Sequence, residues 1–169
     1  MATVSDLLLD GLGRVRETVH GLLDDLPEEQ LAQPPAPGAN TVAWLVWHLS
    51  RVLDEHVADA FDVDVVWTSG GWYERFALPF PASAHGYGMS FDDVLRVRAS
   101  AADLRGYFDA AYEVAEARMR TVTDADLDEV IDDSWDPPVT LGVRLVSVLN
   151  DCTQHVGQAA YAAGILTRS

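Results

Sequence analysis

The feature that most constrains this chain is a helical period that recurs four times between proline- and glycine-rich interruptions. Over residues 4–26, apolar side chains fall at Leu7, Leu8, Leu12, Val15, Val19, Leu22 and Leu23, the three-and-four spacing that lines one face of a helix. Residues 27–38 carry four prolines and a glycine and read as a connection outside any element. Asn40 or Thr41 is placed to cap a second helix that runs through Trp44, Leu45, His48, Val52 and Glu55 to about Phe61. His48 lies one turn beyond Trp44 on the same apolar stripe and is expected to point inward. Ser90, followed by Asp92 and Asp93, opens a third helix expected to continue to about Val122. A turn-rich patch over residues 123–138 contains Pro137 and Pro138. Thr140 then caps a fourth helix, with Gly164 as its expected stop. With no convincing run of strands, the chain reads as one domain over residues 1–169. Its expected fold is an all-α four-helix bundle with a long crossover between helices 2 and 3.

The crossover, residues 62–90, is rich in glycine and aromatic residues, among them Trp72, Tyr73, Phe76, Phe80 and Tyr87. A connection of that length in a compact domain is usually functional or disordered, and its aromatic content argues against disorder. It can pack over one end of the core and shape access to a site, or simply fill apolar surface.

At 169 residues the chain is long enough to bury a core without disulfides or a structural metal, so any metal is expected to be functional. Its 27 acidic and 11 basic residues give a formal net charge of −16, a surface that repels a phosphate backbone. Nucleic-acid partners are therefore disfavoured, and a small-molecule substrate is expected instead. Every basic residue is Arg, which fits the codon bias of a GC-rich genome or a salt-adapted proteome. No secretory leader pattern opens the chain, and no apolar run reaches the roughly 18 residues a membrane helix needs. The single Cys152 fits a reducing compartment. A cytoplasmic protein without membrane association is expected.

The chemistry-bearing residues converge on two of the four helices. Asp151 and His155 are four apart, which on a helix separates them by about 40° and roughly 6 Å along the axis, close enough to share one ion. His48, facing inward from the second helix, is the residue that can complete the set. Two imidazoles and one carboxylate leave coordination positions open, as catalytic metal centres do. By spacing alone, a solvated Asp151 and a satisfied core His155 remain the alternative. Arg144 lies about two turns before Asp151 on the same side, where it can reach an anionic substrate group or pair with acids of the preceding loop such as Asp132 or Asp133. Glu55 shares the His48 face and can serve as general base or outer-shell acceptor, against a solvated helix-end carboxylate. Gln158 can donate to a bound cosubstrate or close a helix–helix hydrogen bond. His56 is turned by about 80° from His48 and makes a poor partner for the same ion. His20 and His85 read as ordinary surface or loop histidines. Cys152 reads as a buried structural thiol more readily than as a nucleophile. Gly157 costs about 1 kcal/mol relative to Ala inside a helix and is expected to mark close helix packing.

The segments Gly38-Ala39-Asn40-Thr41-Val42-Ala43-Trp44-Leu45-Val46-Trp47-His48-Leu49 and Asn150-Asp151-Cys152-Thr153-Gln154-His155-Val156-Gly157-Gln158-Ala159-Ala160-Tyr161 together resemble the DinB/YfiT-like superfamily. Within it the chain looks most like an uncharacterised actinobacterial branch related to mycothiol-dependent maleylpyruvate isomerase. The resemblance implies a four-helix bundle that binds a divalent metal, zinc or nickel, through His48, Asp151 and His155. Many relatives carry His where this chain has Asp151, and the isomerase branch carries Glu. Asp keeps the charge and donor type but has a shorter reach. The resemblance also implies a low-molecular-weight thiol such as mycothiol, held as thiolate for transfer to, or isomerisation of, a small electrophile, with Arg144 orienting an anionic group, and it admits a homodimer. Two other classes stay open: a metal-dependent hydrolase with Glu55 as base, and a non-catalytic metal-binding or stress-response bundle.

Overall fold

A computed structural model describes residues 2–168. Four long helices, α1 (Val4–Asp25), α3 (Val42–Phe61), α7 (Ala101–Met119) and α8 (Leu141–Leu166), form the bundle. Between them lie the short helices α2 (Glu28–Leu31), α4 (Val66–Ser69), α5 (Trp72–Phe76) and α6 (Phe91–Val94), and a two-stranded hairpin of β1 (Val130–Asp132) and β2 (Val139–Thr140). The principal contacts join α3 to α8 and α7, and α1 to the same two. The α1 and α3 helices therefore occupy opposite corners of the bundle.

Each long helix starts on a side-chain cap that satisfies an otherwise orphaned amide. Thr3 accepts from Asp6 N at 3.1 Å in a reciprocal capping box. Thr41 accepts from Trp44 N at 3.1 Å, Ser100 from Asp103 N at 3.0 Å and Thr140 from Val143 N at 3.4 Å. Thr41 rather than Asn40 is thus the cap of α3.

Four expectations need correction. The third helix is not continuous from Ser90: it divides into α6 and α7, because Ser100 with Asp103 builds a second cap inside the run. Residues 27–38 are not wholly irregular, since Glu28–Leu31 closes one helical turn. The turn-rich patch is not strand-free: it holds β1, which pairs with β2 immediately after the patch, Val130 opposite Thr140. Gly164 does not stop the fourth helix, which continues to Leu166.

The first half of α3 is buried on every side. All residues from Thr41 to Arg51 are buried, because α7 and α8 cover two faces and the crossover covers the rest. Among the described residues the buried polar side chains are Thr41, His48, Ser50, Arg51 and Asp54, all on α3 or its cap. Such groups persist in a core only when hydrogen-bonded. The Asp54 carboxylate accepts from the amides of Val66 at 2.8 Å and Trp67 at 2.7 Å and from the Tyr107 hydroxyl at 2.9 Å. One carboxylate so fixes α4 and ties the crossover to α7. Burial still pushes the Asp54 carboxyl above its ordinary range, against those hydrogen bonds and the nearby Arg51 charge.

Trp67, 2% exposed, is the apolar counterpart of that anchor. Its ring meets Trp47, Tyr73, Phe76 and Tyr107 at centroid distances of 6.3, 6.1, 5.1 and 4.9 Å, and the Arg51 guanidinium lies over it at 5.0 Å. The first half of the crossover therefore belongs to the core.

Asp54→Ala should destabilise the protein by about 3–5 kcal/mol, since it leaves buried donors without their shared acceptor. Tyr107→Phe, which removes one donor to the carboxylate, should cost about 1–2 kcal/mol. Urea unfolding followed by circular dichroism measures both, and equal effects of the two would contradict the assignment of Asp54 as the anchor.

Candidate metal centre

His48, Asp151 and His155 come together where α3 faces α8. One ligand-type atom from each lies within 4.8 Å of the others. His48 is 5% exposed, stacked on Trp44 at a centroid distance of 4.7 Å and set edge-on to His155 at 4.6 Å. Trp44 is the neighbour one turn back on the same stripe, so the helical repeat that builds the core also aims the imidazole.

Both imidazoles have one nitrogen committed to a backbone carbonyl. His48 Nδ1 makes a short hydrogen bond with the His85 carbonyl in the crossover. His155 Nδ1 lies 2.9 Å from the Asp151 carbonyl, one turn back on α8. A carbonyl only accepts, so each Nδ1 carries the hydrogen and each neutral ring keeps its Nε2 lone pair free. Metal-binding histidines are commonly held in this way.

The Asp151 carboxylate completes the set. Its Oδ1 is buried and accepts no well-formed hydrogen bond. His155 Nδ1 stands 3.2 Å away, but its single hydrogen serves the backbone carbonyl. A buried carboxylate oxygen with no well-formed hydrogen bond, clustered with two imidazoles whose Nε2 lone pairs are unclaimed, is a donor set that fits a divalent cation. Tetrahedral coordination at about 2.1 Å separates ligand atoms by roughly 3.4 Å, so atoms as much as 4.8 Å apart must draw together to share an ion.

The electrostatics set the apo protonation states. Burial, with the neighbouring His155 in support, holds His48 below its ordinary 6.5, against the bond to His85. The close approach of the Asp151 carboxylate to Nδ1, at 3.2 Å, raises His155 above 6.5 against desolvation, with the bond to the Asp151 carbonyl in support. Desolvation works to raise Asp151, but the close contact and charge of His155 with the charge of His48 bring it below its ordinary value.

A cavity of about 350 Å³ opens beside the cluster, lined by His48, Glu55, His56, His85, Tyr87 and Asp151, with Val52 as its apolar wall. Glu55 therefore faces the same space as two of the three ligand residues, while its carboxylate is ion-paired with Arg51. Arg144 is engaged elsewhere: its guanidinium pairs with Asp59 at 2.6 Å and Asp132 at 3.4 Å and donates to His56 Nδ1 at 3.2 Å. It clasps the β1–β2 hairpin to the end of α3, the structural one of its two readings. Because Arg donates only, His56 presents Nε2–H as its free edge along the cavity. Gln158 is exposed and borders a separate surface depression with Pro35, Ala39 and Tyr161, so the structure does not bring it to the cluster.

Cys152 is fully buried, its Sγ 3.8 Å from the Leu49 carbonyl, and burial pushes its thiol far up. Gly157 does not mark close packing: it is exposed, and a Cβ there would meet nothing within 4 Å. His20 joins Arg16 on Asp109 at the α1–α7 seam, at 2.8 and 2.9 Å. His85 is the residue that sequence reasoning missed. It contributes a backbone carbonyl, for which a side-chain pattern gives no signal.

The fold and the cluster together define a class: a four-helix bundle with a two-histidine, one-carboxylate candidate metal centre between facing helices. Residues 12–159 match the DinB superfamily, to which the chain belongs. The whole chain is also similar to a conserved protein from Enterococcus faecalis of known crystal structure, at 30% identity and a TM-score of 0.92, with 100% of each chain covered. No curated protein matched the sequence. No helix among the described residues is long and apolar enough to cross a membrane.

The protein should bind one zinc ion per chain, with His155→Ala weakening binding by more than the about 10–100-fold that loss of an outer-shell partner costs. The raised pKa of His155 sets the sign of the pH dependence. Its ion pair with Asp151 stabilises the metal-free state below about pH 6.5 and is lost as pH rises through the raised value. A metal must displace that proton, so affinity should fall by about tenfold per pH unit below it. Isothermal titration calorimetry from pH 6 to 8.5 measures both effects.

Proposed function

We propose that this protein is a divalent-metal-dependent enzyme that uses a low-molecular-weight thiol, mycothiol or a similar one, for transfer to or isomerisation of a small electrophile. The observation that carries the reading is an open cavity beside three metal-ligand side chains that leave coordination positions free. A divalent cation, zinc or nickel, held there would keep a bound thiol as thiolate at neutral pH.

The residues of the chain divide the remaining work. The His85 and Asp151 carbonyls hold Nδ1 of each ring as a donor, which leaves each Nε2 lone pair for a metal to take. His56, kept in its Nε2–H form by Arg144, offers a donor to an electrophile in the cavity. Its pKa is lowered by desolvation and by the Arg144 charge, so the neutral donor form prevails at pH 7. The second half of the crossover, with His85 and Tyr87, bounds the cavity. Because the sole sulfhydryl of the chain, Cys152, is sealed in the core, a thiol nucleophile has to enter as cosubstrate. Arg144 acts in this scheme through His56 and not on an anionic substrate group.

A hydrolytic reading rests on one observation, that Glu55 faces the same cavity and can take a proton from a water there. Monochlorobimane with a panel of small thiols, assayed before and after metal removal, separates the two. Activity should need both thiol and metal, vanish on dialysis against a chelator and return with zinc or nickel. Full thiol transfer by a metal-free sample would sink the proposal, and thiol-independent ester hydrolysis abolished by Glu55→Gln would replace it with the hydrolytic one.

A further inference from the structure

His48 owes its tautomer to a carbonyl on a loop, and the loop owes its position to a charge buried beneath it. Arg51, one turn beyond His48 on α3, is 1% exposed. Its Nε donates to the Ala84 carbonyl at 3.1 Å and its NH2 to the Ala82 carbonyl at 3.0 Å. The same guanidinium pairs with Glu55, contacts the Tyr107 hydroxyl at 3.5 Å and covers the Trp67 ring. Two planar donors thus grip alternate carbonyls of the strand of chain that presents the His85 carbonyl to His48.

Gly86 marks how tightly that chain is pressed down. Its φ is +102°, and a Cβ there would lie 2.6 Å from His48 Nδ1 and 3.2 Å from Trp44 Cζ2. Only a residue without a side chain lets the backbone approach the imidazole this closely. The contact between His48 and the crossover is therefore built from both sides.

We propose that Arg51 is a positioning residue for the metal centre: by holding the Ala82 and Ala84 carbonyls it fixes the His85 carbonyl on His48 Nδ1 and commits His48 Nε2 to the ligand cluster. The proposal rests on the metal-centre reading for its purpose but not for its test. The apo protein already carries the signature, a single His48 tautomer with Nδ1 protonated and Nε2 bare.

Long-range proton–nitrogen correlation spectra of the metal-free protein at pH 8 read that signature directly. Arg51→Met and Arg51→Lys should each give His48 a mixture of tautomers, because a Lys ammonium cannot reproduce the two-carbonyl grip of the guanidinium fork. Zinc affinity in these variants should fall by about 10–100-fold. Arg51→Lys keeps the buried charge opposite Glu55, so it decides the matter if Arg51→Met fails to fold. A folded Arg51→Lys protein with the wild-type tautomer overturns the proposal. Gly86→Ala leaves Arg51 untouched and should mix the tautomers as well; mixing in that variant alone would assign control to the loop backbone and remove Arg51 from it. Loss of zinc binding by the wild-type protein, with the tautomer effect intact, would count against the metal reading and leave the positioning role standing.

Discussion

The burial of the first half of α3 on every side, from Thr41 to Arg51, is the constraint on which the rest of the structure depends. A helix with apolar residues all round can be covered only by neighbours on every side, and two bundle helices do not suffice. The crossover supplies the missing cover, which explains why a connection of that length is dense in Trp, Tyr and Phe. Burial also obliges every polar group on α3 to find an internal partner. Asp54 finds the start of α4, Arg51 finds the carbonyls at 82 and 84, and His48 finds the carbonyl at 85. The cover is thus pinned by the polar groups it buries, at three points along its length.

The same arrangement makes the candidate centre asymmetric. The α3 ligand is stacked, hydrogen-bonded and nearly free of solvent contact, whereas Asp151 and His155 sit half-buried on α8 and hold each other in an ion pair. Adjustment around an ion therefore falls to the α8 pair. Arg144, on the same helix, belongs to a different structure, the clasp that joins the hairpin to α3. Its two-turn spacing from Asp151 carries it past the cavity and onto His56, Asp59 and Asp132.

Much of this was legible in the sequence because it follows from periodicity and capping. The caps at Thr41, Ser90 and Thr140 announce themselves as polar residues before apolar runs, and the inward aim of His48 follows from Trp44 one turn before it. What escaped had weaker local signals. The break before α7 is visible only as the two-residue step from Leu95 to Val97 and the Ser100/Asp103 pair. Gly157 was read as a packing residue because a helix-interior glycine usually has a reason, yet the space above it is open. Arg51 and Asp54, charges in the middle of an apolar stripe, are the strongest unused signal: a charge on a core face demands buried partners, but apart from Glu55 one turn beyond Arg51 these lie more than ten residues away and are set only by the tertiary fold. The His85 carbonyl leaves no mark in a sequence, although the glycine that follows it hints at a close approach.

The seamless cover over α3 has a consequence for how a protein of this design can diverge. From Thr41 to Arg51 no position faces solvent, so any substitution there is tested first by folding and only then by chemistry. The helix that carries His48 is in that sense frozen. Variation in the donor set has an open route only through α8, where Asp151 and His155 border solvent and a change of side chain disturbs little else. Of the three residues of the candidate centre, the two on α8 are therefore those at which the architecture leaves inheritance free to drift.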